Sequence, residues 1–330
     1  MRFMYLTDTH CRGSSPANRK DDFVNSMYLK LDEVASLARE WEVTAILHGG
    51  DLWDSPNPSF AVAHSFLSRL KAAEVPIYII AGNHDLQRQE LDTLPYTMLG
   101  IQGAFGKVRI IKAHERIYFE DQNLRVQLTG QSYHSEIDRR DPRLDYCIRK
   151  QDCDYAINLV HGTLMTEDRF PGSTHTHVSQ VHETEADLTL VGHMHFGFPD
   201  YEYQGKHFLN IGALSRLINH TVEIQRPVQV LLVDLSRGRS ELIKIPLKSA
   251  LPGNQVLDLD KAEHTAILIE SLAKNVYYAQ KAGEFGTSCI RDIVDILGIQ
   301  EGFSKEMRFE ALRRVHAEIE LTKTNHKGKF

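Results

Sequence analysis

Ile77-Tyr78-Ile79-Ile80-Ala81-Gly82-Asn83-His84-Asp85 is a short apolar run, opened by Pro76, that stops at groups able to bind ions or move protons. An apolar run bounded by turn formers reads as a buried strand. The same pattern recurs toward the N-terminus. Val43 to Leu47 ends at His48-Gly49-Gly50-Asp51, and Phe3 to Leu6 is closed by Thr7-Asp8-Thr9-His10. Between these runs, Phe23, Met27, Leu31, Val34, Ala38 and Trp41 recur at spacings of three and four, predicting an amphipathic helix from about Asp21 to Trp41. After Pro56 and Pro58, Ser59 is placed to cap a helix running to about Ala73. Strand, helix, strand, helix, strand is the α/β signature, with right-handed crossovers and a mainly parallel start to the sheet. Open sheets of this class hold ligands at the carboxyl ends of their strands.

Further along, β-like character runs from about Val108 to Leu128. Tyr155 to Val160 leads into His161-Gly162, and Leu188 to Val191 into Gly192-His193-Met194-His195. Tyr201 to Tyr203 and His207 to Ile211 form a hairpin around Gln204-Gly205, and Val228 to Asp234 and Glu241 to Pro246 follow, turning at Arg237-Gly238. Composition shifts after Leu251-Pro252-Gly253. Helical spacing then returns over Leu257 to about Ala282, Ser288 to Leu297 and Ser304 to about Leu321. The predicted division is a domain over 1–252 and a mostly helical segment over 253–330.

The chain of 330 residues is 42% hydrophobic and 25% charged, which excludes a largely disordered chain, a collagen-like fibre and a coiled-coil rod. The formal net charge is -6, so binding to nucleic acid requires a local basic patch or a partner that supplies one. Cys11, Cys147, Cys153 and Cys289 show no CxxC spacing and suit a reducing compartment. Thr7-Asp8 interrupts the first apolar run before a signal-peptide core forms, and no apolar stretch approaches a membrane span. The expectation is a cytoplasmic protein without membrane contact.

Five strand ends carry the chemistry: Asp8 and His10; Asp51; Asn83 and His84; His161; His193 and His195. Any one of them alone is ordinary loop composition. Together, on one sheet edge, they form a constellation of carboxylates, an amide oxygen and imidazoles without a thiolate. Such a hard-to-borderline donor set suits manganese, iron or zinc. One carboxylate can bridge two cations roughly 3.5–4 Å apart, an arrangement that grips phosphate oxygens and activates water. The chemistry inferred is hydrolysis of a phosphoester.

The set Asp8-Thr9-His10, Gly50-Asp51, Gly82-Asn83-His84-Asp85, His161-Gly162 and Gly192-His193-Met194-His195 resembles the calcineurin-like metallophosphoesterase family over residues 1 to about 215. Within it, Gly50-Asp51-Leu52-Trp53-Asp54-Ser55-Pro56 and Asn210-Ile211-Gly212-Ala213-Leu214-Ser215-Arg216 are most similar to the SbcD-type nucleases of bacterial SbcCD DNA-repair complexes. The resemblance implies a sandwich of mixed β-sheets flanked by helices, with two divalent metal ions, manganese foremost and iron or zinc as alternatives. Metal one would be held by Asp8, His10, Asp51 and His195, and metal two by the bridging Asp51 with Asn83, His161 and His193. It gives His84 the role of contacting the scissile phosphate and aiding the leaving oxygen. Asp85 is placed either to hold the His84 ring or to stabilise the turn as a carboxylate acceptor. The resemblance further implies a DNA exonuclease and endonuclease in repair, recombination or replication, an SbcC-like ATPase partner and a homodimer.

Arg216 can grip a phosphate bidentately or form a surface ion pair, and His134, after the strand Arg125 to Thr129, can face the cleft or serve a structural or substrate-shaping role. Both are candidate substrate contacts. Arg12, Arg19 and Lys20 lie in the loop after His10 and suit either a solvated rim or nucleic-acid phosphates. The apolar ladder Phe285, Ile290, Ile293, Val294, Ile296, Leu297, Phe309, Leu312, Val315 and Ile319 suits a helical hairpin that docks a partner or packs on its own core. Against the nucleases it resembles, the segment is either a reduced cap or such a docking element. The same metal core also serves a phosphodiesterase or phosphatase for a small nucleotide or other small phosphoester. A scaffold subunit with a vestigial site is the third reading, and a complete ligand set argues against it.

Overall fold

Strand β1 (Arg2–Leu6) shows how the layers arise. Successive side chains of a strand point to opposite faces, and here both sets are apolar. Phe3 and Tyr5 join one buried cluster and Met4 and Leu6 another, so the strand is covered on both sides. β1 pairs in parallel with β2 (Ala45–His48), β2 with β3 (Ile77–Ile79) and β3 with β4 (Arg109–Ile110). In this computed structural model residues 1–121, 123–167, 174–217, 221–235 and 240–258 are described. Met1–Ser15 and Arg19–Leu257 make up one compact unit, which holds both main sheets and every candidate metal ligand.

The first sheet has the order β14-β13-β1-β2-β3-β4, closed by the antiparallel strands β13 (Gln229–Asp234) and β14 (Glu241–Pro246). The second comprises β5 (Ile117–Glu120), β6 (Arg125–Gln131), β7 (Tyr155–Gly162), β10 (Leu188–His193), β11 (Phe198–Tyr203) and β12 (Lys206–Asn210) in the order β11-β12-β10-β7-β6-β5. Leu164–Met165 and Thr176–His177 form a separate two-stranded pair, β8 and β9. Phe3, Tyr5, Leu47 and Val233 meet Val126, Leu128, Ile157 and Leu190 in the cluster that joins the two sheets.

Outside the first sheet lie α1 (Phe23–Glu40) and α2 (Phe60–Lys71). Asp22 caps α1 by accepting from Asn25 N at 3.1 Å, and Ser59 caps α2 by accepting from Val62 N at 3.3 Å, satisfying amides that have no partner within the helix. The apolar stripe of Phe23, Met27, Leu31 and Val34 packs with Phe66 and Leu70 on Met4, Leu6 and Ile46. The outer face of the second sheet is covered through Tyr146, Val178 and Val181, against Val160, Val191 and Phe208. The chain is thus α/β, two mixed sheets flanked by helices.

Register positions the functional edge. Leu6 lies beside His48, and His48 beside Ile79, so the three polar stretches that follow emerge side by side. In the second sheet the strands run further than the apolar runs suggest. β7 reaches Gly162 and β10 reaches His193, with Gly192 opposite His161 and His193 opposite Gly162. Two candidate ligands therefore belong to the ladder itself, because central strands keep hydrogen-bonding past their last apolar residue. The first unit continues through a short helix, Gly253–Val256, to Leu257. The turn at Arg237-Gly238 and the helices predicted beyond residue 258 lie outside the described residues. Among the described residues no helix is long and apolar enough to cross a membrane.

Candidate metal centre

The edge is stitched by backbone hydrogen bonds before any side chain acts. Asp8 N donates to Gly50 O at 3.1 Å and His10 N to Asp51 O at 3.0 Å, tying the turn after β1 to the turn after β2. These turns are sharp. Asp8, His10, Asp51 and His193 have φ of 51°, 43°, 53° and 87°, a region costing non-glycine residues about 1–3 kcal/mol each. Gly50, at φ 99°, and Gly82 permit the close approach: a Cβ on Gly50 would strike the His161 ring, and one on Gly82 the Asp51 carboxylate.

Within this frame the predicted ligands converge. The ring nitrogens and carboxylate oxygens of Asp8, His10, Asp51 and His195 form one group within 4.8 Å of one another, and those of Asp51, His161 and His193 a second. Asp51 belongs to both. Its Oδ2 lies 3.6 Å from His10 Nε2 and 3.3 Å from His161 Nε2. Asn83 Oδ1 completes the second group, 3.3 Å from His161 Nε2 and 2.9 Å from His193 Nδ1. Asp8 Oδ1 stands 3.7 Å from His195 Nε2. These residues are buried, with His193 and His195 only partly exposed.

The donors suit divalent cations. His10 Nε2 and His195 Nε2 face each other at 2.9 Å, a meeting of two ring nitrogens that a shared cation satisfies. The tautomer of His161 is set from behind, where Nδ1–H donates to Gly49 O at 2.7 Å, leaving the Nε2 lone pair aimed at the centre. Thr7 Oγ1 donates to Asp8 Oδ2 at 2.7 Å, and His193 N to both Asp8 oxygens at 3.1 Å.

Electrostatics agree. Burial resists charge on His161, yet Asp51 and Asp8 outweigh it and carry the ring up to about 9. His10 is raised as well: burial opposes the charge, but Asp54 and Asp51 prevail. Burial and then His161 push His193 down to about 4, while burial and His10 hold His195 well below its ordinary value. Burial raises Asp8, whereas Asp51 is drawn down against its burial by His161 and His10. The carboxylates thus favour positive charge where a cation would sit.

His84 is exposed at the rim, its Nδ1 3.0 Å from Asp54 O, so a donating Nδ1–H leaves Nε2 toward solvent. Of the two places expected for Asp85, the structure shows the turn-stabilising carboxylate. It does not steady the His84 ring: Oδ1 accepts from Trp53 N at 3.0 Å, and Oδ2 from Gly82 N at 3.0 Å and Leu52 N at 3.3 Å. A buried carboxylate is better served by several backbone N–H groups than by one imidazole at the surface. Arg216 departs from both expectations, a phosphate contact and a surface ion pair. It is buried, and its guanidinium donates to the carbonyls of Leu251 and Arg226. His134 Nε2 pairs with Asp145 Oδ1 at 2.9 Å, in a cluster with Arg140. Arg19 is buried against Asp21, Arg12 reaches Asp54 Oδ2 at 3.0 Å, and Lys20 is exposed.

Two neighbours escaped the sequence reading. Asp54 places Oδ1 3.6 Å from His10 Nδ1, and its position three residues after Asp51, in the same loop, was the available signal. The Tyr133 ring lies 5.7 Å from that of His193 and 6.3 Å from that of His161; nothing in its local sequence marked it.

The sequence model described as calcineurin-like phosphoesterase matches residues 1–197. DNA double-strand break repair protein Mre11 of Sulfolobus acidocaldarius is 27% identical over 295 residues, covering 84% of this chain and 72% of that protein. The protein of the same name from Methanosarcina mazei is 32% identical over 125 residues, 36% of this chain and 19% of that protein. Among solved structures, the sulfate thiohydrolase SoxB of Thermus thermophilus in complex with glycerol aligns with a TM-score of 0.46 at 10% identity, covering 83% of this chain and 60% of that one.

Proposed function

The chain belongs to the calcineurin-like phosphoesterase family and is a metal-dependent hydrolase, and from that premise we propose that it is a two-metal DNA nuclease acting in DNA repair or replication. The observation that carries the reading is Asp51, whose carboxylate belongs to both groups of donors. Similarity to the Mre11 proteins supports DNA as the substrate.

Asp8, His10, Asp51 and His195 would hold one cation, and Asp51, Asn83, His161 and His193 the other, with manganese foremost. Bound there, the cations supply Lewis-acid charge to the phosphate and a nucleophilic water. The chain's own groups do the rest. Gly49 O, by accepting from His161 Nδ1, keeps that ring's Nε2 directed inward. Asp54 O orients His84 so that the exposed Nε2 can pass a proton to the leaving oxygen. Asp85 shapes the turn that carries His84.

The proposal extends to an SbcC-like ATPase partner, a homodimer and a cytoplasmic setting, with the phosphoesterase domain over 1–252 and a segment over 253–330 that serves as a reduced cap or an ATPase-docking element. Exposed apolar side chains support association with a second copy: Phe60 at the start of α2, Tyr96, and Ile101 and Phe105, four apart at Met98–Ala104 and its C-cap.

The test is manganese-dependent cleavage of labelled single- and double-stranded DNA beside a simple aryl phosphodiester, each repeated with His84→Ala. DNA cleavage lost in the variant supports the reading. Turnover of the simple diester alone, even with the ATPase subunit added, would move the assignment to a small-phosphoester phosphodiesterase.

A further inference from the structure

The segment Gly212–Arg216 runs beneath the first group of ligands, and both sides of its backbone are engaged. On one side its amides hold the ligand turns. Ala213 N donates to His195 O at 3.0 Å, Leu214 N to Thr7 O at 2.9 Å and Ser215 N to Asp8 O at 3.3 Å, and Ser215 Oγ adds a bond to Asp8 O at 2.8 Å. On the other side four successive carbonyls each accept from a basic side chain. Arg226 Nη1 reaches Ala213 O at 2.7 Å, Lys30 Nζ reaches Leu214 O at 3.0 Å, Arg226 Nη2 reaches Ser215 O at 2.8 Å and Arg19 Nη1 reaches Arg216 O at 2.8 Å. Gly212, at φ 81°, leaves room that a Cβ would take from His195 O and the Arg226 side chain.

This arrangement is expensive. Arg19, Lys30, Arg216 and Arg226 are all buried, and the acids that face them are Glu223, 2.8 Å from Arg226 Nε, and Asp21. Apolar residues of similar size commonly stabilise a fold as well as buried charge does, or better, so stability alone does not account for such a row. What the row does is fix a backbone segment whose opposite edge carries the main chain of Asp8 and His195. No hydrogen bond described for this segment reaches Asn83, His161 or His193.

We propose that Gly212–Arg216 is a strap, anchored by Lys30, Arg19 and Arg226, that positions Asp8 and His195 and so sets the affinity of the first cation site more than that of the second. These are positioning residues, acting through the strap. The inference rests on the two-cation reading, but not on the substrate being DNA.

The test uses the full chain with Lys30→Met, which keeps the volume and removes the donor, and Ser215→Ala, a small change that leaves the basic row intact. Two readouts are needed. Without added metal, amide exchange at Ala213, Leu214 and Ser215 should quicken at least about tenfold, with the rest of the core unchanged. On titration with manganese, followed by electron paramagnetic resonance, the first site should weaken by about ten- to a hundredfold while the second is retained. Unchanged exchange in both variants, or equal weakening of both sites, overturns the proposal. If Lys30→Met does not fold, Ser215→Ala decides alone. A wild-type protein that binds two cations but cleaves no DNA sinks the nuclease reading and leaves the strap standing. One that binds no manganese sinks the two-cation reading and the proposal with it.

Discussion

The backbone N–H of His84 donates to Asp51 Oδ1 at 2.8 Å. One oxygen of the shared carboxylate is thereby occupied by the turn that carries the candidate acid. The other, Oδ2, faces His10 and His161. Bridging and proton donation are thus coupled through one peptide group: the residue that would join the cations also fixes where His84 stands.

Asp51→Asn should cost both cations, since it removes the charge common to both groups. Metal analysis after purification is expected to fall from two equivalents toward none, with turnover down at least about a hundredfold. Retention of two equivalents would count against the bridging role.

His84→Ala should leave metal content unchanged and lower turnover by about 10²–10⁴-fold, the range for a positioned acid. Equal metal content in variant and wild type, measured with the rate, separates this from a lost ligand. A phosphodiester with a good leaving group should lose less than DNA.

Asp85→Asn replaces a carboxylate that accepts three backbone N–H groups with an amide whose NH2 must face at least one of them. The expected cost is about 1–3 kcal/mol, read as a lower Tm, accompanied by slower turnover as the Gly82–Asp85 turn shifts. Intact stability with lost activity would instead return Asp85 to a direct part in the chemistry.

Lys30 supplies a pH dependence. Burial first, then Arg19, Arg216 and Arg226, pushes its pKa down to about 7, against the pull of Asp21. Between about 7 and 10.5 the unfolded chain holds a proton that the fold does not, so this residue's contribution to stability rises with pH across that window. In denaturant titrations Lys30→Met should remove that share of the slope. An identical slope would show that Lys30 keeps its charge in the fold.

Arg216→Met should lower stability and leave KM for DNA within about twofold, because its guanidinium serves the carbonyls of Leu251 and Arg226. A large rise in KM with unchanged Tm would restore it as a substrate contact.

Much of this was readable in one dimension. Apolar runs closed by polar turns, with helical spacing between them, determine an α/β sheet edge, because a buried strand must be apolar and its first polar residues mark where it emerges. The kinds of donor at those turns determine a hard-to-borderline donor set of the sort that suits a divalent metal, because chemistry follows from residue type. Direction and partnership were not readable. Asp85 and His84 are adjacent in sequence, yet one turns inward to three amides and the other outward to solvent. Arg216 carries the charge of a phosphate ligand but is spent on carbonyls brought near from distant parts of the chain. Lys30 lies on an amphipathic helix, and only packing brings its amine to Leu214 O. Burial and hydrogen-bond partners are set by contacts between residues far apart in sequence, so the tertiary structure alone decided which of the polar side chains meet at the centre and which hold it in place.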